Sequence, residues 1–100
     1  MKIEILDRAR EDLIEGFHFY ERQEPGLGSY FLTNLYADIE SLRIYGGIHE
    51  KSYENYHRLL SQRFPFAVYY SRQENRISVH AVIDCRRDPK WITERLRTDD

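Results

Sequence analysis

An α+β domain, a helix hairpin laid on a twisted, mainly antiparallel four-stranded sheet, is what this 100-residue sequence predicts. Three observations predict it. Two stretches before Gly46 repeat their apolar residues at spacings of three and four, the period of an amphipathic helix. They are separated only by Glu24-Pro25-Gly26-Leu27-Gly28, too short a link for anything but an antiparallel pair. From His57 to Trp91 the chain then turns to β-branched and aromatic runs divided by polar turns, the composition of a strand meander.

Taken in order, Lys2-Ile3-Glu4-Ile5-Leu6 alternates and is a short strand that joins the sheet. Asp7 follows as a helix N-cap, with Glu11 and Asp12 early in the helix where the dipole favours negative charge. Ala9, Leu13, Phe17 and Tyr20, with Ile14 beside them, form its buried stripe. Gly16 within that stripe costs about 1 kcal/mol relative to Ala and marks a close helix crossing. A second helix spans about Ser29 to Arg43, with Phe31, Leu35, Ile39 and Leu42 inward and Leu32 and Tyr36 flanking. Gly46-Gly47 ends it and opens a polar, aromatic loop to about Tyr56 that contains His49, Lys51, Tyr53 and Glu54.

The meander reads as strands at Arg58–Gln62, Phe64–Ser71 and Ile77–Asp84. Pro65 belongs near the start of the second, since its missing N–H breaks a ladder elsewhere. Arg72-Gln73-Glu74-Asn75 is a turn, and strict alternation puts Ile77, Val79, Ala81 and Ile83 on one face, with Ser78, His80, Val82 and Asp84 on the other. Pro89 disfavours helix at Asp88 and sets the start of a last segment. There Trp91, Ile92 and Leu96 make a short C-terminal helix or an extended tail, and residues 97–100 fray.

Composition bounds the function. One hundred residues, 41% apolar and 32% charged, describe one ordinary globular domain over residues 1–100. No apolar run approaches the roughly 20 residues of a membrane span, and the N-terminus lacks the apolar core of a signal peptide, so a cytoplasmic protein with no membrane partner is expected. The single cysteine, Cys85, fits a reducing compartment and leaves no disulfide framework and no cysteine-based zinc site. His49 and His57 have no Asp or Cys pattern around them, so neither a metal nor a cofactor is expected. Charge is uneven: residues 1–50 carry five Lys/Arg against ten Asp/Glu, and residues 51–100 carry ten against seven. The cationic half is the meander. It faces an anionic partner, or it pairs with the acidic helices of its own chain.

The wording of these elements is itself informative. Ala9-x-x-Asp12-Leu13, Phe19-Tyr20, Gly26-Leu27-Gly28-x-x-Phe31, Leu42, Arg58-x-Leu60, Arg63-Phe64-Pro65-Phe66-x-Val68-Tyr69-Tyr70 and Arg86-Arg87-x-Pro89, in that order, resemble the RelE/ParE superfamily of bacterial type II toxins over essentially the whole chain. The resemblance implies a β-α-α-β-β-β fold and a toxin that arrests growth. It also implies a cognate antitoxin whose C-terminal segment folds onto the toxin, giving a hetero-oligomer.

Two activities sit on that fold. RelE-like members enter the ribosome and cut mRNA, which requires cations around the reacting phosphate and a group to move the 2′-OH proton. They resemble one another in an Arg on the second meander strand, where this chain has Phe66, and some carry lysines where it has His57 and Leu59. If the chain is a ribonuclease, Arg63, His80, Arg86 and Arg87 are the residues to carry it. The Arg-Phe-Pro-Phe-x-Val-Tyr-Tyr wording instead resembles the ParE-like branch, whose members poison DNA gyrase as binders. On that reading there are no catalytic residues, and Arg58, Arg63, Tyr69, Arg86, Arg87 and Trp91 contact the target or the antitoxin. A third reading is a non-toxic homologue kept for antitoxin binding. The residues also have quieter readings: His80 as a half-exposed sheet residue, Arg86 and Arg87 as partners of Asp84 and Asp88, and Cys85 as an inert thiol. Tyr69 and Tyr70 point to opposite faces, one into the core and one toward an antitoxin helix.

Overall fold

The structure, a computed structural model, describes residues 1–52 and 55–98. Tyr53 and Glu54 of the expected loop, and Asp99 and Asp100 of the expected tail, lie outside the described residues. The elements are β1 (Lys2–Ile5), α1 (Asp7–Gln23), α2 (Leu27–Glu40), α3 (Leu42–Tyr45), β2 (Lys51–Ser52), β3 (Tyr56–Leu60), β4 (Phe66–Gln73), β5 (Arg76–Asp84) and α4 (Pro89–Arg97). The sheet has five strands in the order β1-β5-β4-β3-β2, not four. The additional strand, β2, is a two-residue pairing of Lys51 and Ser52 with His57 and Tyr56, too short for any periodicity to announce. β1 runs parallel to β5 and the other pairings are antiparallel.

The helix hairpin forms where expected, with shifted ends. Leu6 holds the N-cap of α1, and Asp7 is instead its first residue, placed where the dipole favours a negative charge. The turn after α1 is closed by Glu21. Its carboxylate accepts from the Gly26 N–H at 3.1 and 3.0 Å and from the Gly28 N–H at 2.9 Å. Those bonds satisfy donors at the start of α2 that no N-cap side chain serves, so the helix opens at Leu27 rather than Ser29. Gly26 sits in the left-handed region at φ +92°, which a side chain would resist. The second predicted helix is split at Ser41, whose hydroxyl donates to the Asp38 carbonyl, so Leu42 lies in α3.

The hairpin packs on one face of the sheet. Ala9, Leu13 and Tyr20 of α1, Phe31, Leu35 and Ile39 of α2 and Leu42 of α3 are buried against Phe66, Val68, Tyr70, Ile77, Val79 and Val82. Each such large apolar side chain contributes about 1.5–3 kcal/mol by leaving water. Ile14, expected beside the stripe, is 50% exposed. Close approach of the helices depends on two glycines. A Cβ on Gly16 would meet the Phe31 ring at 2.5 Å, and one on Gly28 would meet the Phe17 carbonyl oxygen at 2.6 Å.

Strict alternation fails in β5. Tyr69 pairs with Ala81 while Tyr70 pairs with Val79, so His80 is the extra residue of a β-bulge. The phase flips there: Ile77, Val79 and Val82 face the hairpin, whereas Ala81 and Ile83 join Ala67, Tyr69 and Tyr56 on the opposite face. That second face is not an open flank. It is roofed by α4, a helix rather than an extended tail, through Ile92 and Leu96. The meander strands also shift, β3 beginning at Tyr56 and β4 at Phe66, because Pro65 stays in the turn and gives its carbonyl to the Cys85 N–H.

Gly28→Ala tests the helix crossing. The methyl group would be driven into backbone, so unfolding stability should fall by about 1–3 kcal/mol. An unchanged urea midpoint would show that the helices separate without cost.

Candidate functional site

Between α1 and the start of α4 lies a groove of about 440 Å³, lined by Gly16, His18, Phe19 and Arg22 on one wall and Asp84, Arg87 and Trp91 on the other. Its floor is the sheet, at Phe66, Val82 and Ile83. Local sequence explains each wall. His18, Phe19 and Arg22 fall on the side of α1 turned away from the buried stripe. Pro89 starts α4 with its fixed φ, and the Asp88 carboxylate accepts from the Lys90 N–H at 2.8 Å, so Trp91 stands on the first turn facing the end of β5.

Charge in and around the groove divides into satisfied and available groups. Asp12 accepts two 2.7 Å bonds from Arg95 and one of 2.9 Å from the Val82 N–H. Burial pushes its carboxyl above the usual range, and the Arg95 and Val82 bonds pull it back. Asp84 accepts from the Arg86 guanidinium at 3.0 and 2.7 Å and from the Arg86 N–H at 2.8 Å. These bonds hold its carboxyl below the usual range and raise the Arg86 guanidinium further. Arg86 also bonds the Tyr20 hydroxyl, whose pKa burial raises. The Arg87 guanidinium lies 3.9 Å over the Trp91 ring. Among the described residues neither Arg22 nor Arg87 makes an ion pair. The groove therefore offers two uncommitted guanidinium groups and two half-exposed rings, Phe19 at 44% and Trp91 at 39%. The groove also carries Glu15, which makes no ion pair among the described residues, so its charge is mixed, with cations next to the rings.

The other residues singled out by sequence are dispersed. Arg58 is exposed on β3, in register with Tyr69, and Arg63 is exposed in the turn before β4. Tyr69 is 2% exposed beneath α4, so both members of the Tyr69-Tyr70 pair are core and the expected partner contact at Tyr69 is closed while α4 is in place. His80, half-buried in the bulge, bonds the Ser71 hydroxyl through Nε2 at 2.8 Å and meets the Tyr56 ring edge-on. About 13 Å of strand separates it from Asp84, and neither His80 nor Arg63 lines the groove. Partial desolvation raises the Cys85 thiol above its usual value, and Arg58 offsets this in part. Among the described residues no cluster of His, Cys, Asp or Glu suits a metal ion. Sequence reading missed Phe19, Arg22 and His18 as groove residues. Their signal was present: charged and aromatic side chains on the helix face opposite the stripe.

No protein-family model and no curated protein matches this sequence. The fold, however, is shared. A solved structure, the chromosomal ParDE TA system from P. aeruginosa, contains a chain that this one matches with a TM-score of 0.77 at 14% identity, over 84% of this chain and 95% of that one. The helices on a twisted sheet are thus the fold that the RelE/ParE resemblance implies. Among the described residues no helix is long and apolar enough to cross a membrane.

Two measurements test the groove's electrostatics. Asp84 should titrate below 3.8, so its tie to Arg86 is complete above that value and lost as pH falls through the depressed pKa; Arg86→Gln should move the titration up. An Asp84 titration insensitive to that change would remove the pair from the account. Asp12→Asn strips the carboxylate from a guanidinium only 6% exposed, and should cost about 3–5 kcal/mol of unfolding free energy. A loss under 1 kcal/mol would show the pair to be dispensable.

Proposed function

We propose that the chain is the toxin of a bacterial type II toxin–antitoxin module, ParE-like, acting in the cytoplasm. It arrests growth by binding a macromolecular target, DNA gyrase by family inference, and is neutralised by a cognate antitoxin in a hetero-oligomer. The observation that carries this reading is the extent of the structural match: 95% of a chain from a ParDE TA system is reproduced, so the likeness is to a whole fold and not to one hairpin. The groove with its Arg22, Arg87, Phe19 and Trp91 supplies a surface suited to an acidic, partly apolar segment.

One further observation favours the binding branch over the ribosome-dependent nuclease. Phe66, where nuclease members place a guanidinium, is 7% exposed, its ring 4.9 Å from that of Phe31 and 6.2 Å from that of Tyr20. That position packs in the hairpin core and meets the groove only as part of its floor, and its phenyl ring brings no charge to a phosphate. Of the residues kept for the nuclease reading, Arg87 lines the groove and Arg63, His80 and Arg86 do not.

Expression without the partner should stop growth and induce the DNA-damage response while bulk mRNA stays intact; cuts at codon edges in ribosome-bound message would establish the nuclease instead. Unimpaired growth would reduce the chain to an antitoxin-binding module. A neighbouring gene should encode a short protein with an acidic tail that co-purifies with this one. Replacing both Arg87 and Trp91 by Ala should weaken that complex by about 2 kcal/mol, roughly thirtyfold in Kd. An unchanged Kd would place the interface elsewhere.

A further inference from the structure

At the end of the sheet away from the groove, the loop joining α3 to β2 is closed by hydrogen bonds whose donors and acceptors can be assigned. The Gly47 N–H donates to the Tyr70 hydroxyl oxygen at 3.0 Å. The same hydroxyl is in hydrogen-bond contact with His49 Nδ1. The His49 carbonyl, which can only accept, lies 2.7 Å from His57 Nδ1, so His57 is the donor there. Tyr70 is fully buried, and its one hydroxyl hydrogen has His49 Nδ1 as its acceptor. His49 is therefore neutral, with its proton on Nε2. The two imidazoles also enclose the tyrosine ring: His57 stacks on it at 5.0 Å and 21°, and His49 meets it edge-on at 5.6 Å and 89°.

We propose that this arrangement is an acid-sensitive clasp: protonation of His49 releases the loop over residues 46–52 and lifts β2 from β3, uncovering that edge of the sheet. A proton on Nδ1 takes away the acceptor that the buried Tyr70 hydroxyl has among the described residues. It also sets an imidazolium beside His57 and close to Arg72, whose guanidinium donates to the Gly46 carbonyl at 2.9 Å. Among the described residues the remaining charges nearby do not compensate. Glu50 and Lys51, next along the loop, are exposed and of opposite sign, and Arg43 of α3 is engaged by Glu40 and the Met1 carbonyl. Burial and the charge of His57 both hold His49 below its usual pKa, in keeping with a closed form that excludes the proton. The sign follows. The clasp is fully closed above the ordinary histidine value, about 6.5, and loses its stability as pH falls toward the depressed value in the closed form.

Release reaches the sheet because, among the described residues, β2 itself is held by little pairing. Its two residues pair with His57 and Tyr56, and the Glu50 carbonyl takes the Arg58 N–H at 3.2 Å. Two residues of pairing do not persist alone. Opening leaves the β3 edge bare, a template for an incoming strand from another chain.

Amide hydrogen exchange on the purified full chain, corrected for intrinsic rates, tests this at pH 7.5 and 5.5. Protection of the Gly47 and Arg58 amides should fall several-fold at the lower pH while Val68 and Val79 stay protected, and the His49 ring should titrate below 6.5 by NMR. His49→Asn keeps an acceptor near the Nδ1 position without a titrating group, and should hold both amides protected at pH 5.5. Equal protection at the two pH values in the native chain, or acid opening that persists in His49→Asn, would overturn the proposal.

Discussion

A single carboxylate closes this fold. β1 has only four residues and its pairing with β5 ends at Val79, where the Leu6 N–H reaches the Val79 carbonyl. Past that point β5 has β4 on one side and, among the described residues, no strand on the other. Asp12, on the α1 face turned toward this gap, takes the Val82 N–H that no strand serves. It also takes both terminal nitrogens of Arg95 from α4, on the far face of the sheet. An N–H left bare there would cost about 1–3 kcal/mol, and a buried guanidinium without an acceptor considerably more. With Asp12 in place the two layers of the molecule are joined around the sheet's edge, so the angle at which α4 leaves β5 is fixed. The groove exists because α1 and α4 are held at that angle.

The bulge at His80 makes the arrangement possible. Without the extra residue, Ala81 and Ile83 would continue the hairpin face of Ile77 and Val79, and α4 would find a polar surface where it now finds Ala81, Ile83 and Tyr69. One inserted residue turns a one-faced strand into a strand that serves two cores in succession. His80 itself, bonded to Ser71 and packed on Tyr56, is explained by this structural duty.

Much of the fold was legible because the helix stripes are long and periodic. Ala9, Leu13, Tyr20, Phe31, Leu35, Ile39 and Leu42 are all buried as their spacing requires. What sequence could not show was non-local. The bulge leaves no mark in a run where apolar residues occupy both phases, Ala81, Val82 and Ile83 in succession. The cap of α2 comes from Glu21, five and seven residues before the amides it serves, so the helix opens within the Pro- and Gly-containing stretch that reads as a link, not at about Ser29 beyond it. The Asp12–Arg95 pair spans 83 positions. Of the groove residues, Arg87 and Trp91 were singled out through the RelE/ParE resemblance, and the structure places both on one wall of the groove. Tyr69 is covered by a second layer over the sheet, α4, and no periodicity shows that a nine-residue helix at the chain's end folds back onto β4.

The same accounting decides what the cationic half of the chain can do. Arg95 is spent internally, Arg72 on the Gly46 and Glu74 carbonyls, and Arg86 on Asp84 and Tyr20. Arg58, Arg63, Arg76 and Arg87 make no ion pair among the described residues, and all four are exposed. Only Arg87 of these lines the groove, and four uncommitted guanidinium groups without a common site are few for a surface that must grip a polyanion by counterion release, where affinity grows with each phosphate neutralised. On the reading proposed above, they orient and accelerate the docking of an acidic protein segment, with Phe19 and Trp91 as its apolar contacts. Steering by charge and grip by rings is the division of labour general to protein-binding surfaces.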